Sequence, residues 1–150
     1  MERRRLGQLE VSAIGLGCAT MTPFYGEPDP GSAIATIRRA ATLGIDFLDT
    51  SDAYGNGRNG ELISQAVDGR RDEYVIASKF GNLRHRNGTP TADGRPEYVT
   101  AACERSPFRR RGPNSRFFAS KPGISSISPD SPSLGWENGE RNQSLPSQFP

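Results

Sequence analysis

The stretch Asp29-Pro-Gly-Ser-Ala-Ile-Ala-Thr-Ile-Arg-Arg-Ala-Ala-Thr-Leu-Gly-Ile-Asp-Phe-Leu-Asp49 decides the fold class. Asp29 offers a side-chain oxygen to cap a helix, and Pro30 follows at the first helical position, where its missing N–H costs nothing. Ile34, Ile37, Ala41 and nearby Leu43 then recur every three or four residues with Arg38 and Arg39 off the stripe, which predicts an amphipathic helix. Gly44 can take the left-handed conformation that ends it. Ile45 to Asp49, with apolar Phe47 and Leu48, is then a short strand.

The same grammar extends in both directions. Upstream, the Gly-Gln pair of Leu6-Gly-Gln-Leu9 lies between short alternating stretches and predicts a small hairpin, and Ala13 to Cys18 predicts a short buried strand. Downstream, Asn59 or Gly60 opens a second helix with the stripe Leu62, Ile63, Ala66 and Val67, Gly69 stops it, and Tyr74-Val-Ile-Ala-Ser78 is a third strand. After Lys79 comes a polar loop with Asn87-Gly88 and Asp93-Gly94, and Pro96 starts a third helix, Glu97 to Ser106. Strict alternation of strand and helix argues for parallel strands joined by crossovers, because helical crossovers bury both faces of such a sheet.

A chain of 150 residues has room for one ordinary domain and falls short of the roughly 250 residues of a complete eight-fold α/β barrel. Residues 1–106 carry 13 basic and 14 acidic side chains, and residues 107–150 carry 6 and 3. The net charge of +2 therefore comes from the tail, and it makes no electrostatic case for nucleic acid or an anionic membrane surface. No apolar run approaches the ~20 residues of a membrane span, and the charged start Met1-Glu-Arg-Arg-Arg5 lacks the apolar stretch of a signal peptide, so a cytoplasmic location is expected. Cys18 and Cys103 are too few for a disulfide framework or a metal site, and both are expected to be small buried apolar residues. The last 44 residues hold 7 of the 12 prolines and 9 serines without a helical or strand period. That composition predicts a disordered tail, since it offers little to offset ordering costs of roughly 1–2 kcal/mol per residue.

Two constellations could carry chemistry. Gly15-Leu-Gly-Cys-Ala-Thr20 follows a strand like a dinucleotide-binding turn, but it lacks the third glycine and no helix begins there, so close backbone packing at a strand end is the better reading. The other is Asp49-Thr-Ser-Asp-Ala-Tyr-Gly55 with Lys79 at the end of the next strand. Parallel strands open their C-terminal ends onto one ligand face, which puts Asp49 and Lys79 side by side with Tyr54 on the intervening loop. A phenol is a poor proton donor at neutral pH, and an adjacent ammonium held by a carboxylate would activate it. By spacing alone, an aspartate cap and a solvated lysine remain the commoner outcome.

The segments Arg4-Arg-Leu-Gly-Gln-Leu-Glu-Val-Ser-Ala-Ile-Gly-Leu-Gly-Cys18, Phe24-Tyr-Gly26, Gly44-Ile-Asp-Phe-Leu-Asp-Thr-Ser-Asp-Ala-Tyr-Gly55 and Val75-Ile-Ala-Ser-Lys-Phe-Gly81 together resemble the aldo-keto reductase family. Asp93-Gly-Arg-Pro-Glu-Tyr-Val99 resembles the loop and third helix of its branch with bacterial and plant reductases and potassium-channel β-subunits. The resemblance runs from residue 4 to 106. It implies a partial (β/α)8 TIM barrel, an N-terminal hairpin plus three βα units over residues 1–106, followed by the disordered tail 107–150. It further implies NADPH-dependent reduction of a small-molecule carbonyl to an alcohol, with Tyr54 as proton donor and Lys79 and Asp49 tuning it. Gly17 and Asp49 would meet the nicotinamide side of the cofactor.

The family's fourth catalytic residue, a histidine ending the fourth strand, and its main cofactor-phosphate contacts in the last strands have no counterpart here. His85, the single histidine, is expected on an exposed loop, and Arg109-Arg-Arg111 as a solvated charge run. The change of composition at Pro107, inside a predicted helix, fits a frameshifted or alternatively spliced end, so the chain is expected to be a truncated, inactive reductase with two unpaired sheet edges. The alternative is a non-catalytic interaction or regulatory protein derived from the same fold. Nothing in the sequence bears on its oligomeric state.

Overall fold

In a computed structural model of the chain, the described residues are 1–7, 9–23, 26–84, 90–93 and 95–107, with two-residue strands at 117–118, 136–137 and 140–141. The expectations for Phe24-Tyr25, His85, the Asn87-Gly88 turn, Arg109 to Arg111 and most of the tail lie outside them. The chain starts as a hairpin of β1 (Arg3–Leu6) and β2 (Leu9–Ser12), antiparallel with Leu6 opposite Leu9, the small hairpin the sequence predicts.

Three parallel strands follow in chain order: β3 (Gly15–Gly17), β4 (Phe47–Asp49) and β5 (Val75–Ala77). Gly17 stands opposite Asp49 and Asp49 opposite Ala77, so the strands end level with one another. Spatial order follows sequence order, with no reversal of the kind that marks a doubly wound sheet. Helix α1 (Pro30–Thr42) links β3 to β4, and α2 (Arg58–Ala66) links β4 to β5. Asp29 caps α1 as predicted, accepting a hydrogen bond from the Ser32 N–H at 2.7 Å, and Gly44 ends it at φ +81°.

The core lies between this sheet and its helices: Cys18, Met21, Ile37, Leu48, Ile63, Val67, Tyr74 and Ile76 pack together. The α2 stripe is buried at all four predicted positions, Leu62, Ile63, Ala66 and Val67. On α1 the buried face is Ala33, Ile37 and Ala40, with Ile34 and Ala41 packed partly against it. Leu43, expected on that face, is 52% exposed because the helix has already ended at Thr42. Ile14 is exposed as well: the predicted strand shrinks to three residues at the sheet's edge. Arg38 joins the two helices, donating from Nε to the Ala66 carbonyl at 3.2 Å.

The loop after Lys79 is more regular than expected. It forms a second antiparallel hairpin, β6 (Asn82–Arg84) with β7 (Pro90–Ala92), before α3 (Pro96–Arg105). In its described parts the tail contributes three two-residue strands. Strand β8 (Phe117–Phe118) lies parallel beside β5, and β9 (Trp136–Glu137) pairs antiparallel with β10 (Glu140–Arg141). One of the two edges expected to be open is therefore paired. An unpaired parallel edge presents a row of N–H and C=O groups to any extended segment, and two residues are too short for a periodic pattern to announce.

Candidate active site

At the C-terminal ends of β4 and β5, the Lys79 ammonium sits between both oxygens of Asp49, each at 2.7 Å, and the Thr50 carbonyl at 2.9 Å. An ammonium has three N–H donors, and these three partners take them all. The predicted pair is thus formed, and the parallel register that levels the strand ends is what forms it. Tyr54 joins it from the loop: the ammonium lies 5.4 Å from the centre of the Tyr54 ring, over its face. The expected contact between ammonium and phenol is therefore made through the ring face.

Tyr54 owes its place to the turn it opens. Gly55, Asn56 and Gly57 are all left-handed, at φ +59°, +53° and +91°, and fold the chain back sharply into α2. Asparagine tolerates that region better than most residues. A side chain at Gly55 would in addition approach Thr22 Cγ2 to 2.8 Å. Gly17, opposite Asp49, is exposed, and a Cβ built there would meet nothing within 4 Å, leaving open space beside the carboxylate.

Three participants escaped the sequence reading. Asn59, in the first turn of α2, is completely buried; its Oδ1 accepts from the Thr50 hydroxyl at 2.6 Å and its Nδ2 donates to the Cys18 carbonyl at 2.7 Å. Thr50 itself is buried and donates its N–H to the Ala77 carbonyl. Asp52 accepts from the Tyr98 hydroxyl of α3 at 3.3 Å, and burial pushes its carboxyl above the usual range although Tyr98 and Ser51 donate to it. An asparagine and a tyrosine, each in the first turn of its helix, carry no signal of such contacts in sequence.

Cys18 is fully buried and burial, with the Asp49 charge nearby, pushes its thiol up to about 12, so it behaves as the apolar residue expected. Cys103 is only half-buried. Among the described residues, no group of three or more His, Cys, Asp and Glu gathers as a metal site would, and no helix is long and apolar enough to cross a membrane.

The model of the Aldo/keto reductase family matches residues 13–110. The chain belongs to the aldo/keto reductase family. Its α/β fold matches solved members. It is similar to an aldo-keto reductase from Bacillus halodurans, solved in its holo form, at 32% identity and TM-score 0.60, over 69% of this chain and 34% of that one. A Pseudomonas aeruginosa protein described as an aldo-keto reductase superposes at TM-score 0.67 with 30% identity, over 81% of this chain and 48% of that one. A glycerol dehydrogenase from Gluconobacter oxydans matches at 26% identity and TM-score 0.59, over 68% and 33% respectively. The chain thus spans a third to a half of the length of these reductases.

Proposed function

We propose that the chain carries the proton-donating part of a carbonyl-reducing site built on the first strands of a (β/α)8 barrel. The observation that carries this reading is the Lys79 ammonium, held by Asp49 and Thr50 and laid against Tyr54 at the level strand ends. Asp49 balances the lysine charge and orients it. Tyr54, held beside that ammonium, is the group that gives its proton to the oxygen of a carbonyl as that oxygen gains charge. NADPH, when bound, supplies the hydride that the carbonyl carbon takes. The open space at Gly17 beside Asp49 fits the nicotinamide end of such a cofactor.

Holding cofactor and carbonyl in reacting geometry can account for ~7–11 kcal/mol of a barrier. The family resemblance assigns the phosphate cradle and a fourth catalytic residue to later strands, so the 150-residue chain is expected neither to saturate with NADPH nor to turn over. The test joins this chain to the part of the Pseudomonas aeruginosa protein that lies beyond the matched region. Fluorescence titration with NADPH and turnover of an aromatic aldehyde are measured for the chain and the chimera. The chimera is expected to reduce the aldehyde and to lose at least a hundredfold in kcat with Tyr54→Phe. Full turnover by the Tyr54→Phe chimera would overturn the assignment.

A further inference from the structure

We infer that Asn59 is the positioning residue that holds Lys79 in place, through Thr50. Its amide reaches two strand ends at once, accepting from the Thr50 hydroxyl at 2.6 Å and donating to the Cys18 carbonyl at 2.7 Å. Thr50 in turn gives its carbonyl to the Lys79 ammonium at 2.9 Å. The residues at these joints are shut off from water: Asn59 and Cys18 are 0% exposed and Thr50 1%. A buried amide that loses a partner has no solvent to replace it, so the arrangement is held to one geometry.

The rest of the frame is backbone. Cys18 N–H donates to the Asp49 carbonyl at 2.8 Å, and Thr50 N–H to the Ala77 carbonyl at 2.8 Å. Those bonds fix the Asp49–Thr50 peptide between β3 and β5, yet they leave the Thr50 side chain and the Cys18 carbonyl to be tied from elsewhere. Asn59 ties both. An alanine there leaves a hydroxyl and a carbonyl buried without it, and the Thr50 carbonyl that takes the third lysine donor is free to tilt. The role gains its chemical meaning from the proposed reductase site and rests on that reading, whereas the frame itself can be measured without any turnover.

Lys79 and Lys121 are the only lysines in the chain, which makes the measurement direct. The full chain is given a brief pulse of acetic anhydride, and the extent of acetylation at Lys79 relative to Lys121 is read by peptide mass spectrometry. An amine whose three donors are engaged reacts slowly, so Asn59→Ala is expected to raise the Lys79:Lys121 ratio roughly tenfold. Thr50→Val, which removes the hydroxyl at nearly constant shape, is expected to raise it in the same direction. Ile63→Ala, a core variant of the same helix that touches neither Thr50 nor Cys18 through hydrogen bonds, serves as the control for lost stability and is expected to leave the ratio near the parent value.

An unchanged ratio in both Asn59→Ala and Thr50→Val overturns the role, as does an equal rise in Ile63→Ala. Should Asn59→Ala fail to fold, Thr50→Val decides alone. A raised ratio beside an inactive chimera would keep the positioning role and remove the reductase reading, and an unchanged ratio beside an active chimera would do the reverse.

Discussion

Asp52 shows how one side chain's environment sets a measurable sign. Burial holds its carboxyl above the ordinary value, against the hydrogen bonds from Tyr98 and Ser51. A raised acid penalises the folded state wherever it must be charged: the penalty is present above the folded-state pKa and vanishes below about 3.9, where the carboxyl is protonated folded or unfolded. Asp52→Asn keeps an acceptor for the Tyr98 hydroxyl and removes that penalty. Urea denaturation at pH 7 is expected to show a gain below about 1 kcal/mol once solvent screening is counted. The gain should shrink towards zero as the pH is lowered to 3, and a constant difference across that range would refute the account. Asp49, Tyr54 and Lys79 were legible at this scale because strand ends and their following residues are marked by pattern. Asn59 was not, because nothing local distinguishes a buried first-turn asparagine from an exposed one.

The helices and the hairpin make separate commitments. On α1, Ile37 is fully buried in the core, so Ile37→Ala is expected to cost about 2–4 kcal/mol in denaturant unfolding. Leu43, six residues on and more than half exposed, should change stability by no more than about 0.5 kcal/mol when made alanine. Equal costs at the two positions would mean that the helix end is packed differently. The hairpin is tied down by Asp46, which accepts from the Ser12 N–H at 2.8 Å and is paired with Arg3. Burial works against the charge of Asp46, but the bonds from Ser12 and Arg3 prevail and hold its carboxyl below the usual value. A depressed acid stabilises the fold above about 3.9, and that contribution is lost as pH falls through the lower folded-state pKa. Asp46→Asn is therefore expected to cost about 1 kcal/mol at neutral pH and progressively less in acid. Hydrogen exchange at the Ser12 amide checks it: exchange should quicken on acidification in the parent beyond the intrinsic trend, and not in the variant.

For the molecule as a whole, the consequential feature is the four-strand order β3-β4-β5-β8, in which the tail supplies the last strand. Pairing at Ile76 with Phe117 and Ala77 with Phe118 covers the edge of β5 that the first 106 residues leave open. Ending the chain after Pro107 uncovers it. Such a variant is expected to melt several degrees lower and to self-associate on light scattering at concentrations where the parent does not. An unchanged melting temperature and mass would show that β8 contributes nothing to the sheet.

By itself the sequence determined the alternation of strand and helix, the parallel order of β3, β4 and β5, the cap at Asp29 and the placing of Asp49, Lys79 and Tyr54 at or just after neighbouring strand ends. Each of those follows from signals carried within a few residues: a period, a capping oxygen, a glycine past a helix end, a polar residue where a strand stops. Only the tertiary structure decided that Lys79 spends its donors on Asp49 and Thr50 and meets Tyr54 by the ring face, that Asn59 links β3 to β4, and that Phe117–Phe118 joins the sheet. These depend on which groups from distant parts of the chain arrive within about 3 Å of one another. The Asn59 bond to Cys18 spans 41 residues and the Lys79 bonds to Asp49 span 30, and no local pattern encodes a distance of that kind.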